Sequence, residues 1–387
     1  MLTVIGDPAL NRTQFFLRAA GTAGVPAGAL PYSEILAEGS DWPRLLAGRL
    51  VKLESPGRDF AVHRRLLQRG GVVGVEPGCS HWPVDRLPAA EAGPGLVYGT
   101  RQWYLGWRNL LEEVAARGGP AGAEFLNAPA DIAEMFDKPA CHARLRAAGV
   151  PVPDALASPR SCDDLYASLE AARWHRVFLK SSHGSAANGV IALARHHGRV
   201  RAYTALELAA VHGEDRLYST RRLRLYDDPA VVRRLIEALC RERVHVERWI
   251  PKAGLDGRTA DVRVVVIGGR ACHLLVRLAE GPITNLHLGA LKAGEEALAA
   301  TAGNAAVARL RSVAERAAAC YPASFCVGVD LALTPDFRRA LVLEVNAFGD
   351  LLEGWLWQGA DTYTWQVRLI QERRAARAAA QVSCTGA

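Results

Sequence analysis

Residues 327–350 read VGVDLALTPDFRRALVLEVNAFGD. Residues 327–331 have the apolar, β-branched composition of a buried strand, and residues 341–346 read as its antiparallel partner. Polar residues interrupt both: Asp330 in the first segment, Glu344 and Asn346 in the second. Glu344 and Asn346 stand two apart and so share one strand face, with Asp330 placed to lie opposite them. Two carboxylates and an amide that converge are hard oxygen donors, suited to Mg2+ bridging nucleotide phosphates. An acidic pair on neighbouring strands is more often a solvated face. Within strands this apolar, however, such groups need partners, and a metal ion meets that need.

Working back along the chain, residues 261–270, DVRVVVIGGR, predict a strand and turn, and residues 271–278 a returning strand with Arg277 near its end. Asp261 and Arg263, two apart, share a face. The segment PITNLHLGA, with Asn285 at its centre, follows at 282–290. Upstream, residues 244–251, VHVERWIP, read as a strand entering a hinge. The backbone around Glu247, Arg248, Trp249 and Ile250 can meet an adenine edge, with apolar neighbours enclosing the ring. The same residues fit a buried strand with one paired Glu equally well. A short apolar strand, RVFLK, ends in Lys180 and runs into SSHGSAANGV at 181–190. Small residues such as Ser182, Gly184 and Gly189 let a backbone close over phosphates while Lys180 supplies charge. GxxxxGK[ST] is absent, so this is no Walker A loop. Finally, FDKP at 136–139 begins a helix that runs to Leu145 and is closed by GVPVP at 149–153. Lys138 in its first turn opposes the helix dipole unless an anion offsets it; an ordinary surface lysine is the default reading.

The chain around these signals has 387 residues, 50% hydrophobic and 22% charged, which excludes wholesale disorder and suits two or three domains. Its 47 basic against 40 acidic residues leave +7, too diffuse a charge to imply nucleic-acid binding. The eight cysteines form no CxxC pair, and no signal-like or membrane-spanning apolar run occurs, so the expectation is a reduced, cytoplasmic protein. Residues 2–5, a Gly6-Asp7-Pro8 turn and a helix through Phe15, Phe16 and Leu17 predict the opening of an α/β unit without GxGxxG. Residues 49–53 predict another strand and 60–68 a helix; between them Glu54, Ser55, Arg58 and Asp59 form either a polar site or a turn with a helix cap. Trp103, Tyr104 and Trp107 at helical spacing predict core, residues 117–130 a connection, and residues 361–381 a solvated terminal helix.

Taken in order, Lys138, Lys180 with its small-residue loop, Glu247, Asp261, Arg263, Asn285, Asp330, Glu344 and Asn346 resemble the ATP-grasp superfamily over residues 131–358. ADVRVVVIGG, ITNLHLGA and VGVDLA…LVLEVNAFG look most like the RimK-type carboxylate–amine ligases, the branch of the ribosomal-protein glutamate ligases. The resemblance implies an N-terminal α/β domain (1–130), two grasp lobes of α+β character (131–245 and 246–358) and a C-terminal helix and tail (359–387). It implies ATP as cosubstrate, with Lys138 and Lys180 on its phosphates, residues 181–190 closing over them, and Glu247 accepting from the adenine amino group. The hinge backbone of residues 248–250 would complete the purine site. Asp261 and Asn285 would lie on the nucleotide or metal side. Two Mg2+, or Mn2+ in their place, would be held by Asp330, Glu344 and Asn346, with Arg263 and Arg277 steadying the transferring phosphate. The implied reaction joins a carboxylate and an amine through an acyl phosphate, releasing ADP and phosphate.

Two departures put the acceptor in doubt. Ile283-Thr284-Asn285 stands where the glutamate ligases carry Arg-Ser-Asn, so a cation is missing there, and AFGDLLEG at 347–354 replaces a small, Pro-containing turn. The acceptor is therefore open between a peptide or protein, with Arg216, Arg221, Arg222 and Arg224 drawing in acidic side chains, and a free metabolite. A regulatory nucleotide-binding protein and an ATP-grasp phosphotransferase are the alternatives. His183 and His287 read as structural hydrogen-bonders, and a homodimer is the oligomer held in view.

Overall fold

The computed structural model of the chain describes residues 1–57, 59–74, 76–84, 95–184, 188–211 and 213–385. Three sheets organise it. The first is wholly parallel, in the order Ala27–Leu30, Leu2–Ile5, Leu50–Leu53, Glu124–Phe125. Leu2, Val4 and Ile5 are fully buried, as a parallel sheet covered on both faces requires. Of the helices between these strands, Phe60–Val73 starts at Asp59, whose Oδ1 accepts from the N–H groups of Ala61 at 2.8 Å and Val62 at 3.3 Å. Asp59 is therefore a helix cap, and Glu54 turns away into the interior; Arg58 lies outside the described residues.

The second sheet is antiparallel throughout, in the order Leu96–Val97, Glu214–Tyr226, Arg199–Val211, Val190–His196, Arg176–Ser181, Val244–Arg248, Ala155–Leu156. Helices Cys162–Ala172 and Pro229–Cys240 supply Leu165, Leu235 and Ile236 to its separate core. The strand Leu96–Val97 crosses to this sheet from the N-terminal part of the chain.

The third sheet runs Leu291–Ala293, Arg270–Ala279, Arg258–Ile267, Cys326–Leu333, Ala340–Asn346, with Gly254–Leu255 paired to Arg258–Ile267. The antiparallel pairing expected for residues 327–331 and 341–346 is present, with Asp330 opposite Glu344 and Gly328 opposite Asn346. Every residue of Cys326–Leu333 is buried. Its apolar side chains join those of the first sheet: Ile5, Leu53 and Trp107 belong to one cluster with Val264 and Val329. On the other side Leu2 and Val4 pack with Val265, Ile267, Tyr363, Val367 and Ile370.

Two expectations about helices meet different outcomes. Trp107 is fully buried and Tyr104 is 3% exposed, so this aromatic run is core. Helix Thr362–Thr385, by contrast, is not simply solvated: Tyr363, Val367 and Ile370 repeat at helical spacing and face the third sheet. The expected connection at 117–130 contains the strand Glu124–Phe125 and leads into helix Pro129–Met135.

Asn127, buried in that connection, fastens it to the third sheet. Its Nδ2 donates to Cys326 O at 2.7 Å, and its Oδ1 accepts from the N–H groups of Phe325 at 2.9 Å and Cys326 at 3.0 Å. Asn127→Ala takes the side-chain partner from Cys326 N–H and C=O, while Phe325 N–H keeps Leu126 O at 2.8 Å, and should destabilise the fold by about 2 kcal/mol. Denaturant unfolding of the purified variant checks this; an unchanged midpoint would show that the connection is held elsewhere.

Candidate active site

The buried strand Cys326–Leu333 carries one charge, Asp330, and a buried carboxylate must be neutralised. The neighbouring strand does so. Arg263, in register with Asp330, approaches in a fork, its Nε on Oδ1 and its Nη2 on Oδ2 at 2.8 Å. Arg277 Nη2 lies 3.1 Å from Oδ1, and Asn346 Nδ2 donates to Oδ2 at 3.4 Å. Burial alone would raise the Asp330 carboxyl, but the two guanidinium groups hold it below the usual carboxylate range. Arg277 reaches further, donating from Nε to Asp261 Oδ1 at 2.6 Å. Asp261 Oδ2 accepts from the Thr284 hydroxyl, and Thr284 Oγ1 accepts from Lys252 Nζ at 2.9 Å. An unbroken polar chain thus runs from Asn346 through Asp330, Arg277, Asp261 and Thr284 to Lys252.

Two lysines face this chain, one from a helix and one from the second sheet. Lys138 opens helix Lys138–Ala147, which Asp137 caps by accepting from Ala140 N at 3.2 Å. Its Nζ sits 3.1 Å from Glu344 Oε1 and donates to Gly184 O. The anion that its awkward place in the first turn called for is therefore Glu344, on the strand Ala340–Asn346. Lys180 Nζ donates to Glu247 Oε2 at 2.6 Å and to Leu343 O at 3.4 Å. Burial would raise the Glu247 carboxyl, yet Lys180, with His245 Nε2 at 3.1 Å, brings it down to about 2.

The small-residue loop is shaped by close approaches. A Cβ at Gly184 would stand 2.5 Å from Asn188 O, and Gly189 has φ +75° with Ser181 Cβ 2.7 Å from where its own Cβ would be. Ser182 N donates to Arg243 O at 2.9 Å, and its hydroxyl is buried without a partner. The middle of the loop, residues 185–187, lies outside the described residues. His183 is pinned: its Nδ1 is 3.2 Å from Phe136 O and its Nε2 3.0 Å from Arg101 Nη1, while its ring stacks on Tyr104 at 4.0 Å. Burial, reinforced by Arg101, pushes its pKa well below the ordinary value, so it is neutral and structural.

The fold that carries these residues has counterparts among solved structures. The crystal structure of D-cycloserine synthetase DcsG matches with a TM-score of 0.54 at 15% identity, covering 95% of this chain and 98% of that one. The ATP-grasp ligase PsnB, complexed with minimal precursor, matches with a TM-score of 0.51 at 17% identity, covering 96% and 98%. The chain has the ATP-grasp fold. No family model and no curated protein matches it by sequence.

Within the ATP-grasp frame most of the expected residues converge, with three exceptions. The N–H groups of Arg248 and Trp249 are spent on Asp154 O at 2.8 Å and Arg176 O at 3.1 Å, so they are not donors to a purine edge. The Glu247 carboxylate is the paired buried Glu of the second sequence reading, engaged by Lys180. Asn285 turns its side chain to its own loop, accepting from His287 N at 2.8 Å. The arginine cluster at 216–224 also divides: Arg216 is buried over the rings of Trp82 and Tyr98, Arg224 pairs with Glu207, and Arg221 and Arg222 are exposed.

Sequence reading missed Lys252, whose placement after Pro251 marks it only as a hinge residue. It also missed that Lys52 and Asp350 join Glu54, one of the four residues read as a polar site or a turn, in an interior group linking the first sheet to the loop after Asn346. A lysine inside the apolar strand LVKL was the signal there.

Glu247 carries a pH signature. Its folded-state pKa lies below the unfolded value of about 4.3, so the stability it confers is present above that pH and is lost as pH falls toward about 2. Glu247→Gln should cost on the order of 3 kcal/mol at pH 7, and the gap from wild type should close between pH 4.5 and 2. Urea unfolding of both proteins across that range tests it; a pH-independent gap would contradict the Lys180 pairing.

Proposed function

We propose that this chain is an ATP-dependent carboxylate–amine ligase. The observation that carries the reading is the convergence of Lys138, Glu344, Asp330, Asn346, Arg263 and Arg277 where the two antiparallel sheets of an ATP-grasp fold meet. On this reading residues 131–245 and 246–358 are the lobes, residues 1–130 the preceding α/β domain, and residues 359–387 the terminal helix and tail. The strand Leu96–Val97 is then a tongue from that first domain to the first lobe.

Among the described residues no group of three or more His, Cys, Asp and Glu side chains stands ready to hold a metal alone. Asp330, Glu344 and Asn346 supply two carboxylates and an amide, a set that fits Mg2+ or Mn2+ when phosphate oxygens and water complete the shell. Mg2+ held there would offset charge on the β- and γ-phosphates and keep them aligned. The residues themselves account for the remaining work. Lys138 and Lys180 draw in the phosphate chain. Arg263 spends three N–H groups on Asp330 and Gly349 O, which fixes its plane and leaves others for a phosphoryl oxygen. A substrate carboxylate oxygen attacks the γ-phosphorus, the bond to the β-γ bridging oxygen breaks, and ADP leaves. An amine then adds to the acyl phosphate carbon, loses a proton, and expels phosphate. The buried cleft keeps water from competing with the amine.

The acceptor reading follows the neighbour PsnB, whose structure is described as complexed with minimal precursor. A peptide or protein amine or carboxylate is proposed here as well, with Arg221 and Arg222 on the exposed edge of the second sheet. Cytoplasmic residence and a homodimer belong to the same proposal. Among the described residues no helix is long and apolar enough to cross a membrane.

Purified protein incubated with Mg-ATP, pooled amino acids and acidic peptides should yield ADP, phosphate and a condensed mass. A phosphorylated product would make it a kinase, and AMP would overturn the acyl phosphate. Glu344→Gln should lower turnover at least about 100-fold, about 2.7 kcal/mol in activation free energy, with the melting temperature retained; Asp330→Asn should lower turnover as much and also lower the melting temperature, because it strips Arg263 and Arg277 of their shared counter-charge. Near-normal turnover in both would remove the metal assignment.

A further inference from the structure

Within the cleft the described charged side chains do not balance. Lys138, Lys180, Lys252, Arg263 and Arg277 make five cations, and Glu247, Asp261, Asp330 and Glu344 make four carboxylates. Four of the cations have a carboxylate oxygen at 3.1 Å or closer. Lys252 is the exception: its nearest carboxylate oxygen, Asp261 Oδ2, is 3.8 Å away. Both oxygens of Asp261 are already engaged, Oδ1 by Arg277 Nε and Oδ2 by the Thr284 hydroxyl. What Lys252 Nζ touches instead is neutral, Thr284 Oγ1 at 2.9 Å and Pro282 O at 3.3 Å. Its side chain is 7% exposed.

A buried ammonium without its own counter-ion is costly, and two neutral acceptors do not restore what water gave it. Burial pulls the Lys252 pKa below the ordinary lysine value; Arg277 and Lys180 push the same way, and Asp261 offsets this in part. The ammonium stands beside the rings that close the hinge, 5.8 Å from the centre of Phe178, which in turn packs on Trp249. It also holds the very loop, residues 282–284, that lacks a cation of its own.

We propose that Lys252 is a third phosphate-binding lysine of the nucleotide site, giving one N–H to a phosphate oxygen of bound ATP or ADP while the others keep the 282–284 loop in place. This rests on the ligase reading above and deepens it: a positive charge absent from the loop in sequence is delivered to it in space, from the hinge. The surplus of one cation is the charge that an anionic ligand cancels.

The test separates charge from scaffolding. Lys252→Gln keeps a donor for Thr284 Oγ1 and Pro282 O but removes the charge; Lys252→Arg keeps the charge. Adenosine and ADP are titrated calorimetrically, with Mg2+ present, into wild type and both variants, and each protein's melting temperature is recorded. Lys252→Gln should bind ADP about ten- to a hundredfold more weakly, the range for one hydrogen bond to a charged group. Its adenosine affinity and melting temperature should not change, and Lys252→Arg should recover most of the ADP affinity. Wild-type ADP affinity in Lys252→Gln overturns the proposal, as does an equal loss of adenosine and ADP or a collapse of the fold, either of which makes Lys252 a strut. A wild-type protein that binds neither ligand sinks the nucleotide-site reading itself, a result distinct from any change confined to the variants.

Discussion

The burial of Asp330 in the middle of an otherwise apolar strand is the constraint from which the rest of the site follows. A carboxylate there is tolerable only if cations are brought to it. Arg263 and Arg277 come from two consecutive strands of the same sheet, so the sheet must keep its register for the charge to be met. Each arginine then needs company. Arg277 takes Asp261, and Asp261 takes Thr284, which fixes the loop behind it. Removing one partner leaves the next buried charge exposed to the same penalty, so the chain is specified more tightly than its net electrostatic gain would suggest.

The cleft has a second wall because the two antiparallel sheets have largely separate cores, yet polar contacts cross it. Lys180 reaches Leu343 O from the second sheet to the third, and Lys138, on a helix packed against the third sheet, meets Glu344 beside it and donates to Gly184 O of the small-residue loop. Beside one small apolar cluster, in which Phe178 and Ala192 meet Ile283, such contacts help set the spacing of the walls and remain exchangeable. On the proposed ligase reading, a nucleotide that supplies phosphate oxygens to these lysines would compete with the partners the protein already gives them.

Much of this was legible in the sequence for definite physical reasons. Strand pairing at 327–346 showed because β-branched runs of this length have few alternatives, and the two-residue spacing of Glu344 and Asn346 fixed their common face. Lys138 showed as an anomaly against a helix dipole, and the anomaly was resolved by a residue two hundred positions away. The hinge was less legible. Backbone donors at Arg248 and Trp249 look free in a sequence, and their loss to Asp154 O and Arg176 O depends on how neighbouring segments dock. Lys252 was invisible for the same reason: lysine is read as solvated until tertiary structure buries it.

The interior group around Lys52 bears on the loop that follows Asn346. Lys52 Nζ lies 2.6 Å from Glu54 Oε1 and 3.0 Å from Asp350 Oδ2, while Arg12 Nη1 lies 3.1 Å from Glu54 Oε2 and donates to Phe348 O at 3.3 Å. Asp350 is further held by Gln366 Nε2 at 2.9 Å, and its carbonyl accepts from the Thr362 hydroxyl at 2.6 Å. The loop that follows Asn346 is thus gripped by the first sheet on one side and the terminal helix on the other. Arg263 Nη1, at 3.2 Å from Gly349 O, ties the same loop to Asp330. The departure from a Pro-containing turn at this point therefore has a physical counterpart. Rigidity that a proline would supply locally is supplied here by buried charge pairs drawn from the first 54 residues, which makes the N-terminal part of the chain a structural component of the cleft rather than an appendage to it.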